Sequence, residues 1–258
     1  MSRRNLLIRT LQAVVILAVA SSFAHAEGEY NFFKKKAAGG AEPPSYLISE
    51  SFDAVGYDLV WTESLGTPNE DYTTSPAPLE GTQSLFLDGC GATADQETWT
   101  GYTIGAGIKS ETYFLVHFTS VPSTGTVERQ MATIRNGTGT RATLFLRYVA
   151  GTMYMRVQAF GGTAVDTVAT MSASTTYHVW FTYIKGGGTD AAATVAFSTN
   201  GVRPTSGNNY AISSNGTSTT DGNRLYLGGD NYTSATNCTS AIYDKTRVDD
   251  VAISDNPQ

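Results

Sequence analysis

Histidine, the residue most often used in acid–base catalysis, is scarce in this sequence. Once an N-terminal export signal is set aside, the histidines are His117 and His178. His117 alternates with Tyr113 and Leu115, and His178 alternates with Trp180, so we interpret both as packed or half-exposed strand residues. The motifs of zinc proteases, serine hydrolases and phosphate-binding loops are absent. The sequence therefore favours a non-catalytic protein. A lyase site built from tyrosine and histidine stays open, because such a site is assembled only in space.

A hairpin offers a second kind of chemistry, the recognition of a sugar. Residues 144–149 and 152–158 alternate between apolar and other residues on either side of Ala150-Gly151. A two-residue turn there pairs Arg147 with Tyr154 and Phe145 with Arg156. The apolar members of both runs then share the buried face: Leu144, Leu146, Met153, Met155 and Val157. The opposite face carries aromatic and hydrogen-bonding groups: Phe145, Arg147, Tyr154, Arg156 and Gln158.

That outward set has the groups that a sugar requires. An aromatic ring packs against the apolar face of a pyranose, while guanidinium and amide groups donate to hydroxyls or to a uronate carboxylate. The alternative is an ordinary solvated sheet face.

The first 26 residues have the three parts of an export signal. Arg3, Arg4 and Arg9 precede an apolar stretch at 11–20, and Ala24-His25-Ala26 is a small-x-small cleavage site. We expect a signal peptide at 1–26, a flexible linker at 27–45 and a folded domain at 46–258. The protein would be secreted or periplasmic and would leave the membrane after cleavage. The paired arginines also match a twin-arginine signal, although the general secretory route is preferred.

Charge excludes one class of partner. Loss of three arginines with the leader leaves 14 Lys and Arg against 23 Asp and Glu, a net charge of −9. Because nucleic acid is itself a polyanion, we expect no nucleic-acid partner. On such a surface Arg147 and Arg156 would be a local basic exception, which predicts a preference for acidic polysaccharides.

Short strand-like runs separated by Gly, Asn, Ser and Thr fill the folded domain, and long helical periodicity is absent. This pattern is typical of an all-β sandwich or barrel. The clearest runs are 46–52, 84–87, 112–119, 142–149, 152–160, 177–184, 192–198, 224–227 and 247–253.

Several of these segments resemble the concanavalin A-like superfamily. Residues 50–53 with Trp61 and 71–74 resemble the opening of MAM domains, and 247–253 resembles the strand that closes MAM and laminin-G-like domains. Residues 176–183 and 224–229 resemble central laminin-G-like strands. The chain has only two cysteines, and Tyr72 stands where MAM domains have histidine, so the resemblance is to the superfamily. It implies a two-sheet antiparallel β-sandwich of the jelly-roll type.

The resemblance also implies a structural calcium ion, because the first and last strands of this superfamily lie side by side with calcium often at their end. Carboxylates are available there for a cation that needs six to eight oxygen ligands. Alternation places Glu50 and Asp249 toward the core, where a carboxylate needs a partner or a metal. The alternative is a hydrogen-bond network at the strand ends. The candidate ligands are Glu50, Asp53, Asp71, Asp249 and Asp250.

The two cysteines, Cys90 and Cys238, are an even count in a compartment that permits disulfides. We predict a bond between them, and two separate thiols are the alternative.

These observations favour a secreted recognition module that binds a glycan or another surface polymer. A polysaccharide-degrading enzyme on the same fold, a glucanase or a lyase, is the first alternative. The closely spaced Glu-x-Asp-x-Glu carboxylates of glucanases are absent. A structural subunit of a matrix or surface layer is the second alternative.

Overall fold

The computed structural model describes residues 46–50, 61–65, 72–73, 79, 84–87, 96–100, 109–119, 121, 125–228 and 246–254. For part of the strands in these ranges, including 46–50 and 249–250, the description is of the backbone. The chain divides into two units, Met1–Pro43 and Pro44–Gln258, and all the strands belong to the second. The described part contains no helix with the length and apolarity needed to cross a bilayer.

All regular structure in the described residues is β-strand. The fifteen strands are β1 Tyr46–Glu50, β2 Trp61–Leu65, β3 Tyr72–Thr73, β4 Ser84–Leu87, β5 Gln96–Thr100, β6 Lys109–Phe118, β7 Thr126–Asn136, β8 Gly139–Val149, β9 Thr152–Ala159, β10 Val165–Asp166, β11 Thr175–Ile184, β12 Ala191–Ser198, β13 Tyr210–Gly216, β14 Arg224–Gly228 and β15 Thr246–Ser254.

The strands form two antiparallel sheets. Sheet A has the order β13-β12-β11-β6-β15-β4-β3, with β1 also paired to β15, and sheet B has the order β10-β9-β8-β7-β14-β5-β2. Side chains of both sheets meet in one apolar core, to which β11 contributes Val179 and Phe181 and β8 contributes Leu144 and Leu146. In β8 and β9 of sheet B the alternating residues on the outer face stay partly exposed, as expected when a sheet buries one face. The predicted all-β, two-sheet antiparallel sandwich is confirmed.

The predicted hairpin is confirmed residue by residue. Phe145 pairs with Arg156, and Arg147 pairs with Tyr154. The backbone at Ala150 and Gly151 has φ values of 47° and 94°, the left-handed conformation that a two-residue hairpin turn requires at both positions. The expected apolar residues of β8 and β9 are buried, with exposures of 0% to 1%.

The first and last strands lie side by side, as the resemblance implies. Glu50 stands opposite Val251 in the β1–β15 pair. However, β15 has a register shift against β6 between Asp249 and Ala252, and Val248 and Val251 both belong to the core. Val248 and Val251 are three positions apart, whereas residues on the same face of a regular strand are two apart. Simple alternation, which predicts that Asp249 shares the inward face with Val251, therefore does not apply across this bulge.

Six strands lie outside the predicted runs: β2, β3, β5, β7, β10 and β13. The most consequential is β7, the central strand beside the hairpin, because it delivers a charged residue to the outer face of sheet B.

Candidate functional site

The hairpin places the predicted sugar-binding set on the outer face of sheet B. All five side chains, those of Phe145, Arg147, Tyr154, Arg156 and Gln158, are half-buried, while their neighbours along each strand are buried in the core. The face thus presents planar polar and aromatic groups in two adjacent rows.

Two acidic residues from the flanking strands reach the same face. Glu128 of β7 stands opposite Arg147, and Asp166 of β10 stands opposite Arg156. Glu128 Oε1 lies 3.0 Å from Arg147 Nε and 2.6 Å from Arg156 Nη1. Asp166 Oδ1 lies 2.6 Å from Arg156 Nε, and Asp166 Oδ2 contacts Arg147 Nη1. Each arginine touches both carboxylates, and we call these four residues the ion-pair ring.

The ion-pair ring changes the charge of the face. Its side chains are 19% to 31% exposed, so the pairs are partly shielded from water. The hydrogen bond to Asp166 raises the pKa of Arg156, opposed by partial burial and assisted by the charges of Glu128 and Asp166. Two cations and two anions sum to zero. Arg147 and Arg156 are therefore not the basic exception that the sequence predicts.

A pocket of about 240 Å³ opens beside the hairpin on this face. It is lined by Thr140, Thr143, Gln158, Phe160 and Gly161. Gln158 Nε2 donates to the carbonyl of Gly162 at 3.1 Å, which fixes the amide at the pocket wall. Phe160 is 49% exposed, so about half of this residue is open to solvent at the pocket.

A third arginine lies next to this pocket. The guanidinium carbon of Arg141 lies 6.0 Å from the centre of the Phe160 ring. The guanidinium also lies close to Gly139, where an added Cβ would come within 2.9 Å of Nη2. Among the described residues Arg141 makes no ion pair, and its Nε has no hydrogen-bond partner. In this it differs from Arg147 and Arg156, each of which contacts two of the described carboxylates.

The outer face of sheet A holds the two histidines. Tyr113 of β6 and His178 of β11 share a hydrogen bond, with 2.8 Å between Tyr113 Oη and His178 Nδ1. Trp180 lies opposite Tyr113, and its ring centre is 5.5 Å from that of Tyr113 and 6.3 Å from that of His178. His117 and His178 are both half-buried strand residues, as predicted.

The connection between β12 and β13 closes over this cluster. Arg203 Nη1 lies 2.5 Å from Glu111 Oε2, and Arg203 Nη2 donates to Thr182 Oγ1 at 3.2 Å. Gly201 lies close to the ring of His178, since an added Cβ would be 3.4 Å from Cε1. Tyr113 is 5% exposed and Trp180 is 9% exposed, so this face is much less open than that of sheet B.

The predicted metal and disulfide residues lie largely beyond these faces. Glu50, Asp249 and Asp250 belong to the paired strands β1 and β15, while Asp53 and Asp71 lie outside the described residues. The described part of the chain contains no group of three or more potential metal ligands. The calcium site stays a prediction. Cys90 and Cys238 also lie outside the described residues, so their bond stays a prediction.

Sequence reasoning missed Glu128, Asp166 and Arg141. Alternation does not mark Arg141, because β8 has a register shift against β7 between Ala142 and Thr140 that leaves Arg141 as the extra residue. No local signal marks Asp166, which lies in a two-residue strand, and Glu128 is followed directly by the buried Arg129.

No protein-family model matches the sequence, and no curated protein matches it. Solved structures with a similar fold include the endo-β-1,4-glucuronan lyase of the fungus Trichoderma reesei, at 12% identity and TM-score 0.49, covering 81% of this chain and 95% of that chain. The alginate lyase of Aplysia kurodai is similar at 8% identity and TM-score 0.49, covering 81% and 98%. The binding domain of botulinum neurotoxin serotype D is similar at 12% identity and TM-score 0.50, covering 82% and 48%. These similarities concern the β-sandwich fold.

Proposed function

We propose that this protein binds a polysaccharide across the outer face of sheet B. The observation that carries the proposal is the hairpin face itself. Its aromatic rings, amide and guanidinium groups stand in two adjacent half-exposed rows beside a pocket of about 240 Å³. A sugar chain needs such rows, because each pyranose presents apolar faces for rings and a rim of hydroxyls for polar groups.

The ion-pair ring suits this role. A carboxylate oxygen accepts a hydrogen bond from a sugar hydroxyl, and a guanidinium group donates one to a sugar hydroxyl. Glu128 and Arg156 together can therefore bind a hydroxyl both as a donor and as an acceptor. Because each arginine is already held by two carboxylates, little side-chain entropy remains to be lost on binding.

Further parts of the proposal, namely export, the superfamily and a calcium ion, rest on the sequence analysis. We propose an exported protein of the concanavalin A-like superfamily with a structural calcium ion at the β1–β15 pair. The paired first and last strands support the superfamily and the position of that site.

Binding is tested with two variants on the face and one control. Tyr154→Ala and Gln158→Ala should each weaken binding to a polysaccharide about tenfold or more in affinity electrophoresis or calorimetry. Tyr210→Ala is the matched control, because Tyr210 is a half-buried tyrosine on β13 of the other sheet. Melting temperatures should fall by no more than about 2–4 °C, the equivalent of roughly 1 kcal/mol. Equal binding by the wild type and both face variants would remove the site from sheet B.

Cleavage of a uronic acid polymer is the second candidate function, and the Tyr113–His178 hydrogen bond favours it. In β-elimination a base removes the proton next to the uronate carboxyl, a carbon–carbon double bond forms, and the glycosidic oxygen leaves with a proton. Tyr113 is 5% exposed, so this role requires that the β12–β13 connection move to admit a substrate. Tyr113 would then act as that base when His178 Nδ1 takes the phenolic proton, and the same phenol would return a proton to the leaving oxygen. Arg203, held on this face by Glu111, would add positive charge near a substrate carboxylate. Glucuronan and alginate lyases are among the structures of similar fold named above, but the argument here is the Tyr113–His178 pair.

This activity has a direct assay. Incubation with glucuronan or alginate should release unsaturated oligosaccharides, detected by ultraviolet absorbance and mass spectrometry. Tyr113→Phe and His178→Ala should each abolish the release, while Tyr183→Phe, which removes a buried tyrosine hydroxyl from the inner face of the same sheet, should retain it. Polymer that stays intact with the wild-type protein would leave binding as the function.

A further inference from the structure

We propose that the pocket beside Phe160 is the subsite for an acidic sugar, and that Arg141 is the residue that recognises its carboxylate. This inference rests on the proposed binding function and specifies the class of polymer. It assigns the acidic preference to a different arginine from those that the sequence points to.

The first step of the argument is the contrast among the arginines. Arg147 and Arg156 are each in contact with both Glu128 and Asp166, at 2.6 to 3.0 Å for the contacts of Glu128. A sugar carboxylate would have to displace one of these anions and would meet the other at close range. A hydroxyl can join the ring without displacing anything, so this part of the face suits neutral sugar groups.

Arg141 offers the opposite situation. Its guanidinium lies near Gly139, its Cζ is 6.0 Å from the centre of the Phe160 ring, and the described residues place no carboxylate on it. An arginine that stands over an aromatic ring keeps its edge available for the parallel hydrogen bonds that a carboxylate accepts. Gly139 and Phe160, which both lie near the guanidinium, limit the positions that the fork can take before a ligand arrives.

The pocket supplies the remaining contacts of a uronic acid. Thr140 and Thr143 bring hydroxyls, and Gln158 brings an amide. Phe160 gives a half-exposed ring for the apolar face of a pyranose. Thr140 and Arg141 are adjacent in β8, and the backbone N–H of Phe160 donates to the carbonyl of Arg141 at 2.9 Å, so the backbone of Arg141 is joined directly to the pocket wall.

Two oligosaccharides that differ in the carboxyl group test the proposal. An oligomer of β-1,4-linked glucuronic acid and the corresponding β-1,4-glucan oligomer share a backbone and differ in carrying a carboxylate or a hydroxymethyl group. Calorimetry at low salt should show the wild type binding the acidic oligomer about tenfold more tightly, the size of one charged hydrogen-bonded contact. Added salt should narrow this difference because the site is partly exposed.

The variants locate the effect. Arg141→Gln should lower the affinity for the acidic oligomer to that for the neutral oligomer. The affinity of this variant for the neutral oligomer should stay within about twofold of the wild-type value. Arg141→Lys should restore part of the difference. Lys185→Gln, which removes one positive charge from an ion pair with Asp221, is the control for overall charge and should retain the full difference.

The outcomes are separable. If the wild type binds neither oligomer nor the parent polymers, the proposed function fails. If it binds both oligomers equally, or keeps its acidic preference in Arg141→Gln, the acidic subsite at Arg141 is overturned while sheet B remains the binding face.

Discussion

The buried phenol of Tyr183 gives a prediction that combines stability with pH. Tyr183 is 0% exposed, and its hydroxyl donates to the Thr220 carbonyl at 2.8 Å and shares a hydrogen bond with Ser218 Oγ at 3.0 Å. Tyr183→Phe keeps the ring and deletes these bonds. Since a buried hydrogen bond contributes about 1 kcal/mol and the hydroxyl of Ser218 loses a partner, we expect a loss of about 1–2 kcal/mol. For a domain of this size that lowers the melting temperature by roughly 2–8 °C.

The pH dependence distinguishes the phenol from a simple packing effect. Burial raises the pKa of Tyr183 above its usual value of 10.0, while the bond to Ser218 and the charges of Arg141 and Lys185 act in the opposite direction. The folded state therefore keeps the phenolic proton at a pH where the unfolded state releases it. The stabilisation is fully present below about pH 10 and is lost as the pH rises toward the raised pKa.

The assay is denaturant unfolding at several pH values from about 8 to 11. The stability difference between the wild type and Tyr183→Phe should shrink above about pH 10, because only the wild type loses this contribution. Ser218→Ala is the control: it removes one bond but keeps a buried phenol, so its stability should still fall on the alkaline side. Parallel curves for wild type and Tyr183→Phe across the whole range would refute the reasoning.

Three further predictions concern the rest of the domain. A chelator should lower the melting temperature by removing a calcium ion that binds only the folded state, and Asp249→Ala should abolish that response; a melting curve unchanged by chelator would exclude the site. Mass spectrometry of the unreduced protein should show the mass of the dithiol form less two hydrogens and a peptide joining Cys90 to Cys238, whereas free thiols at both positions would disprove the bond. Ala150→Asn should stabilise the hairpin by about 0.5–1 kcal/mol because asparagine tolerates the φ of 47° better than alanine. Gly151→Ala should destabilise it, and thermal melts would compare the two.

The sequence was sufficient to predict those elements whose two faces differ in polarity. In β8 and β9 every second residue is apolar, so the hairpin register and the outward set followed from alternation and a turn that tolerates positive φ. Strand β12 shows the limit of the same signal, since all eight of its residues are buried and a continuous apolar run fixes its existence but not its face.

Strand β7 was not predicted from the sequence because its residues do not alternate between apolar and polar. Arg129 is a charged residue with 2% exposure on the core side, opposite Leu146, and a register shift between Gln130 and Ala132 interrupts the alternation further along. Without β7 the sequence could not reveal that Glu128 stands opposite Arg147. A register shift in β15 has a similar effect on sequence reasoning: between Asp249 and Ala252 the inward and outward assignments cannot be carried along the strand by alternation, because one bulge reverses every assignment beyond it.

The role of an arginine on this face is therefore decided by strand pairing and not by residue type. Arg147 and Arg156 are neutralised because β7 and β10, which flank the hairpin on either side, each bring a carboxylate to the row that these arginines occupy. Arg141 lies on the same β8 strand, but the register there brings Gly139 and Phe160 against it instead of an acid. The sequence alone does not show these pairings and therefore predicts that Arg147 and Arg156 form a basic patch at the hairpin. The pairing instead gives the face a neutral ion-pair ring, and Arg141, on which the described residues place no carboxylate, lies about six residues along the strand, roughly 20 Å at the rise of an extended chain. That distance corresponds to several sugar units. A polymer lying along β8 could therefore contact the ion-pair ring with its hydroxyl groups and Arg141 with a carboxylate at the same time.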